Sequence, residues 1–424
     1  MSKRVLISLG IIFLLLGATS VAIKFAKGYR LDLKKKKVTS TGLLVANSSP
    51  KGAQVFINDK LTTATDDTLN LPPDDYRIKL VKDGYISWEK TLKLEKELVV
   101  QTNTRLFPAV PDLKGLTFSG ALNMTPSPDG HMLSFSVASA SARLKNGLWI
   151  LEMANSSSFS FAQSPRQIAQ TSKIFDFSQA KLYWSPDSKE ILARTKEDAV
   201  LLQANQMNKS IDLRDVTAQL SLIVEEWEEE LKLKQQGQWE KLPEEMQKIA
   251  SDSAKNVYFS PDEEKIMYTA TANVTIPQGL IPSLPASNTQ PETRTLEPGK
   301  IYVYDLKEDR NFYLIASQEN KTDETVKTGK TSDIENRLKQ IQNQYSALAV
   351  QQLQWFPTSQ HLILTEADKI IILEYDNTNR ATVYAGPFAN SFVYPWPDTS
   401  RLLILASLNP DSKLPLNLYA IELK

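Results

Sequence analysis

One turn phrase recurs five times in the C-terminal three quarters of the chain. It reads Thr125-Pro126-Ser127-Pro128-Asp129-Gly130, then Tyr183-Trp184-Ser185-Pro186-Asp187-Ser188 and Tyr258-Phe259-Ser260-Pro261-Asp262-Glu263. Two looser copies follow, Gln354-Trp355-Phe356-Pro357-Thr358-Ser359 and Pro395-Trp396-Pro397-Asp398-Thr399. The serine can open a turn by side-chain hydrogen bonding, the proline sets φ at the first central position, and aspartate or glycine completes it. An apolar strand follows each copy, at Met132–Val137, 191–193, 266–268, 362–365 and 402–405. A second strand usually comes next, at 148–153, 199–202, 301–306, 370–375 and 418–423. A hairpin of this kind cannot bury both of its faces alone, whereas a circular stack of four-stranded sheets can. The shortest interval between prolines, 357 to 397, is 40 residues, the length of one such unit, and the longer intervals of 58, 75 and 96 require insertions. The pattern therefore predicts a β-propeller of five blades, or six if an insertion holds a divergent blade. Closure is expected to recruit residues 116–119 from before the first repeat, which would leave no loose edge.

These turns resemble those of TolB-type β-propellers, whose blades carry an aromatic-Ser-Pro-Asp-Gly turn. The likeness extends over residues 110–424, with Pro126 replacing the aromatic in the first copy and Phe356 and Thr358 replacing serine and aspartate in the fourth. The resemblance implies a scaffold that binds other molecules.

Residues 42–108 carry a different pattern. Val55 and Ile57, then Tyr76, Ile78 and Leu80, then Leu92 and Leu94 alternate with polar neighbours, the period of half-buried strands. Turns fall at Ser49-Pro50-Lys51-Gly52, Asn58-Asp59-Lys60, Pro72-Pro73-Asp74-Asp75 and Lys82-Asp83-Gly84. A small β-sandwich is expected. The phrases Ser49-Pro50-Lys51-Gly52-Ala53, Val55-Phe56-Ile57-Asn58-Asp59-Lys60, Tyr76-Arg77-Ile78-Lys79-Leu80 and Asp83-Gly84-Tyr85 resemble a PEGA domain, although Lys51 replaces the acidic residue of the name-giving tetrapeptide. That resemblance implies an extracytoplasmic spacer module without catalysis.

Residues 5–23 hold no charge, and at a 1.5 Å rise they would extend about 29 Å, close to the ~30 Å of a bilayer's hydrocarbon. A membrane anchor over 1–30 is expected, followed by a basic linker over 31–41. A cleaved signal peptide is the rival reading, since Ser20-Val21-Ala22 offers small residues for cleavage. Positive charges counted alone place the C-terminal side inside. The family resemblances and the short positive tail favour the opposite, a single-pass cell-membrane protein with its C-terminal region extracytoplasmic.

Three insertions, at about 219–252, 271–299 and 320–348, interrupt the repeats. In the first, Leu220, Ile223, Val224, Trp227 and Leu231 share one helical face, and beyond Gly237 a second helix is expected with Pro243 in its first turn and Leu242, Met246 and Ile249 on one side. A third helix is expected to begin at Ser332, with Glu335 completing a capping box and Ile334, Leu338, Ile341, Tyr345 and Leu348 in a stripe. Such stripes can pack on the propeller's side. Alternatively one of them, around Trp227 and Trp239, docks a partner. The proline-rich stretch 273–299 reads as an exposed loop without a core of its own.

Composition narrows the chemistry. Lys plus Arg and Asp plus Glu both total 49, so no global positive field collects nucleic acid. The absence of cysteine removes disulfides, thiolate nucleophiles and cysteine metal sites, and two histidines, His131 and His361, leave little for a triad or a histidine metal centre. Both histidines are expected at the surface or a rim. No cofactor, metal or catalytic residue is expected, and Asp129, Asp187, Asp262 and Asp398 read as turn residues. The expected function is a non-enzymatic binding scaffold for protein or cell-envelope components. The alternative is a propeller glycosidase with two facing carboxylates.

Overall fold

The computed structural model describes residues 3–26, 30–32, 37–39, 41–153, 164–282, 288–317, 330–345, 352–407 and 415–424. The chain is mainly β and divides into two compact units, residues 1–109 with 285–291, and 110–284 with 292–424.

In the first unit, helix α1 covers Lys3–Ala26. Among the described residues no helix is long and apolar enough to cross a membrane. This overturns the expected N-terminal anchor and the cell-membrane placement that depended on it.

The rest of the unit has a four-stranded antiparallel sheet, ordered Lys60–Ala64, Gln54–Ile57, Asp74–Val81, Trp88–Leu94. A three-stranded sheet places Gly42–Ala46 between Val99–Gln101 and Asp67–Leu71. Alternation decides which side chains meet: Val55, Ile57, Ile78, Leu80, Leu92 and Leu94 from one sheet pack with Leu44, Ala46 and Val100 from the other. Asn58 and Asp59 both take positive φ, 48° and 65°, the geometry of a two-residue hairpin turn whose twist matches its strands.

Among the described residues, the second unit contains five four-stranded antiparallel sheets. The first comprises Leu122–Pro126, Met132–Val137, Gly147–Glu152 and Arg166–Gln170, and the second Lys181–Trp184, Glu190–Arg194, Ala199–Gln203 and Arg214–Asp215. The third comprises Ala254–Phe259, Lys265–Ala270, Lys300–Asp305 and Arg310–Ala316, and the fourth Leu353–Trp355, His361–Thr365, Lys369–Glu374 and Ala381–Ala385. The fifth holds Val393–Pro395, Arg401–Ala406 and Asn417–Glu422, and takes its fourth strand, Leu113–Gly115, from ahead of the first sheet. That strand lies a few residues before the expected 116–119. Leu116 and Thr117 still donate their N–H groups to Leu418 O.

Because both faces of the sheets are covered, their central strands read as continuous apolar runs. In Glu190–Arg194, Ile191 and Ala193 join Trp184, Leu148 and Ile150 in a core between the first and second sheets, while Leu192 points to the opposite face. Leu133, Phe135 and Leu151 meet Leu403, Leu418 and Ala420 between the fifth and first sheets. Met267, Val303 and Phe312 meet Leu362, Leu364 and Leu373 between the third and fourth.

Helices cover the far face of the second sheet. Helix α2, Leu220–Trp239, lays Ile223, Val224, Trp227 and Leu231 on Tyr183 and Leu192, and helix α4, Lys330–Tyr345, adds Leu338 and Ile341. Helix α3, Glu244–Asp252, packs Met246 and Ile249 against Ile266, Tyr268 and Tyr302 on the far face of the third sheet. Three details depart from expectation. Helix α2 continues through Gly237 to Trp239. Helix α4 starts at Lys330, so Ser332 lies inside it, and Glu335 pairs with Lys181. Leu348 lies outside the described residues.

The stretch 273–299 is more than an exposed loop. Val274–Thr275 pairs with Thr295–Leu296, and Ile276 and Leu296 are buried against the third sheet. Arg294 ties it down, contacting Asp309 Oδ2 at 3.2 Å and Glu292 Oε2 at 3.0 Å.

Candidate functional site

The five recurrent turns are one structure built five times. In the first, Ser127 N–H donates to Met132 O (2.8 Å), Gly130 N–H donates to Ser127 O (2.9 Å), and Met132 N–H donates to Ser127 Oγ (2.9 Å). Asp129 Oδ1 accepts from Ser127 Oγ and from His131 N–H at 3.0 Å. Ser185 with Asp187, and Ser260 with Asp262, repeat the set. The fourth residue of each turn takes positive φ: Gly130 at 73°, Ser188 at 62°, Glu263 at 58°, Ser359 at 57° and Thr399 at 66°. This is a type I turn followed by a left-handed residue, which suits a hairpin with a bulge.

The fourth copy compensates for its altered sequence. Phe356 is fully buried, and Thr358 Oγ1 lies 2.8 Å from His361 Nδ1, replacing the serine–aspartate pair. His361 is only 6% exposed, which corrects the expectation of a surface position, because its ring closes the turn from below and meets Phe356 edge-on. His131 is exposed as expected.

Contacts tie turn to turn. Asp129 N–H donates to Ser188 Oγ (3.2 Å), and Asp262 N–H to Ser359 Oγ (3.0 Å). Between the second and third turns α2 intervenes: Lys234 Nζ donates to Pro186 O (2.5 Å), and Gln238 Nε2 to Glu263 Oε1 (2.9 Å).

Pro128, Pro186, Pro261, Pro357 and Pro397 all line one cavity of about 720 Å³. Asp129 and Asp187 also reach it, whereas Asp262 and Asp398 do not line it. Aromatic residues line it from four elements: Trp239 at the end of α2, Tyr258 and Phe259 from the third sheet, Trp355 from the fourth and Tyr394 from the fifth. Trp355 is oriented by its Nε1–H, which donates to Tyr258 O at 3.1 Å. Burial pushes the Tyr258 phenol up to about 12, and raises that of Tyr394 as well, with the Asp129 charge adding to the latter. Both remain protonated donors.

The acids of the lining are all engaged. Burial raises the Asp187 pKa, but hydrogen bonds from Lys189 and Ser185 outweigh it and hold the carboxyl below the ordinary range. Lys241 and Gln238 hold Glu263 low as well. Among the described residues no three His, Asp or Glu come together in a way that could hold a metal ion.

Of the two tryptophans singled out in the sequence, Trp239 lies in this cavity, while Trp227 is 5% exposed and sits inside the core that α2 makes with the second sheet. Sequence reasoning treated Tyr258 and Trp355 as parts of the repeat and passed over Tyr394 and the lining glutamines. The available signal was an aromatic two or three residues ahead of Pro261, Pro357 and Pro397.

Comparison with known proteins bears first on the first unit, where the family model of the PEGA domain matches residues 41–109. No curated protein matches the chain. Solved structures similar to it include a putative TolB from Agrobacterium tumefaciens, at 12% identity and a TM-score of 0.23, over 73% of this chain and 83% of that one. TolB from Acinetobacter baumannii is similar at 9% identity and a TM-score of 0.22, over 82% and 59%. A luciferin-regenerating enzyme is similar at 8% identity and a TM-score of 0.27, over 74% and 95%.

Proposed function

We propose that residues 110–424 form a propeller-like ring that acts as a non-catalytic binding scaffold for protein or cell-envelope components, with the proline-lined cavity as its binding site. The observation that carries this reading is the convergence of all five repeat turns on one cavity. In this ring five sheets are blades, and α2, α3 and α4 occupy the interval between the second and third, where a further blade would otherwise stand. The paired sheet cores and the strand Leu113–Gly115 completing the fifth sheet support a closed arrangement.

The state of the carboxylates supports a binding role over hydrolysis. A general acid for glycoside cleavage needs a raised pKa, and a partner carboxylate needs freedom to act. Asp187 and Glu263 are instead held low by hydrogen bonds, and Asp129 is fixed in its turn.

The test is affinity capture on the immobilised full chain, compared with Trp239→Ala and Tyr394→Phe at matched thermal stability. Loss of a reproducible bound set in both variants is expected. Capture that survives both, or turnover of a glycosidic substrate by the intact chain, would sink the reading.

A further inference from the structure

We propose that the ligand of this cavity is a short, uncharged oligosaccharide; the inference rests on the cavity being the binding site, as argued above. Three observations carry it.

The first is the disposition of the aromatic rings. Trp239, Tyr258, Trp355 and Tyr394 arrive from one helix and three sheets. Tyr258 and Trp355 pack at the core between the third and fourth sheets, Trp239 at the core outside the third, and Tyr394 at the core between the fifth and first, so the rings belong to three apolar clusters and not to one. A pyranose presents flat patches of C–H between its hydroxyls, and aromatic surfaces spaced around a cavity can cover several such patches.

The second is the absence of a spare positive charge. Asp187 pairs with Lys189 at 2.9 Å, Glu263 with Lys241, and Lys234 with Glu230 at 3.2 Å. Asp129 accepts through Oδ1 from Ser127 and His131 within its own turn. A carboxylate or phosphate ligand entering here would be desolvated without gaining a free cation.

The third is a set of neutral hydrogen-bonding groups fixed in place. Gln238 donates through Nε2 to Glu263, and Gln354 donates through Nε2 to Val393 O at 2.7 Å. Each amide is thereby oriented with its carbonyl oxygen left to accept. The Tyr394 hydroxyl adds a donor that burial keeps protonated. Oriented acceptors among aromatic faces suit hydroxyl groups. At about 720 Å³ the cavity falls within the ~300–1,000 Å³ typical of small-molecule sites, which fits a few sugar residues.

The experiment is titration of the full chain with maltotriose, cellotriose, tri-N-acetylchitotriose and the acidic trigalacturonate, read by tryptophan fluorescence and by calorimetry. At least one neutral trisaccharide should bind saturably and quench fluorescence, with trigalacturonate at least ~10-fold weaker. Trp239→Ala should weaken the neutral ligand by ~10-fold or more, and Tyr394→Phe, which removes one hydroxyl, by ~3- to 10-fold. If Trp239→Ala does not fold, Tyr394→Phe alone decides. No saturable binding by any neutral sugar overturns the inference. So does equal binding of trigalacturonate, or an affinity unchanged in Tyr394→Phe. If no sugar binds but the captured set of the preceding experiment still depends on Trp239 and Tyr394, the ligand class falls and the scaffold stands. If a bound sugar is cleaved, the non-catalytic reading falls and the ligand class stands.

Discussion

Thr399 holds φ at 66°, a β-branched residue in left-handed backbone, at the position that Gly130 fills in the first turn. A Cβ there costs roughly 1–2 kcal/mol, part of which glycine returns through the entropy of the unfolded chain. Thr399→Gly should therefore stabilise by up to about 1 kcal/mol and raise the melting temperature, and a lowered one would contradict this account of the turn. Trp227 makes the opposite case: buried between α2 and the second sheet, its replacement by alanine should cost about 3–5 kcal/mol in denaturant unfolding. At this scale the sequence was informative about Pro128, Asp187 and their equivalents, because a turn writes its geometry into a few adjacent residues. It could not separate Trp227 from Trp239. Periodicity shows which residues share a helical face, not what the chain later lays over that face.

At the scale of the element, the strands following each turn and the three helices were legible, since alternation and 3.6-residue spacing are local properties. Element ends were less so. Helix α4 begins before Ser332, and Glu335 reaches Lys181 on the second sheet instead of a cap. Tertiary partners decide such ends, as they decide that Ile276 and Leu296 leave their proline-rich stretch for the core.

The partners of the helices are also titratable. Glu228 accepts two hydrogen bonds from Arg337, joining α2 to α4 and lying low in pKa because of them, and Glu335 is held low by Lys181. For acids lowered by folding, the stabilisation is complete above the unfolded value of about 4.3 and disappears as pH falls through the folded value. Both pairs are substantially solvated, so each is worth only about 0.2–1 kcal/mol. Between pH 6 and pH 3, the protection factors of the α4 amides, each referred to the intrinsic exchange rate at that pH, should fall, and the double variant Glu228→Gln, Glu335→Gln should show much of that fall already at pH 6. An α4 equally protected at both pH values would rule these pairs out as its clamps.

For the molecule as a whole, the number of repeat turns was readable and the way the sheets are held together was not. Nothing local announces that Leu113–Gly115 pairs with Asn417–Glu422, or that helices cover the outer faces of the second and third sheets. Replacing Leu113 and Lys114 together by proline removes both N–H groups from that added strand, one of which must face its neighbour. This should lower the melting temperature of the second unit by several degrees and broaden its calorimetric transition, while the first unit melts unchanged. A melt indistinguishable from the parent would mean that the strand is dispensable.

The same pairing bears on biosynthesis. Thr117 and Leu418, bonded through the Thr117 hydroxyl, are 301 residues apart in sequence. A ribosome working from the N-terminus must deliver nearly the whole second unit before these partners can meet. Until then the apolar layer that Leu133 and Phe135 share with Leu403 and Leu418 lacks half of its members. The nascent chain thus carries an unfinished hydrophobic seam through most of its translation, the kind of surface that folding helpers shield and that aggregation exploits when they are scarce.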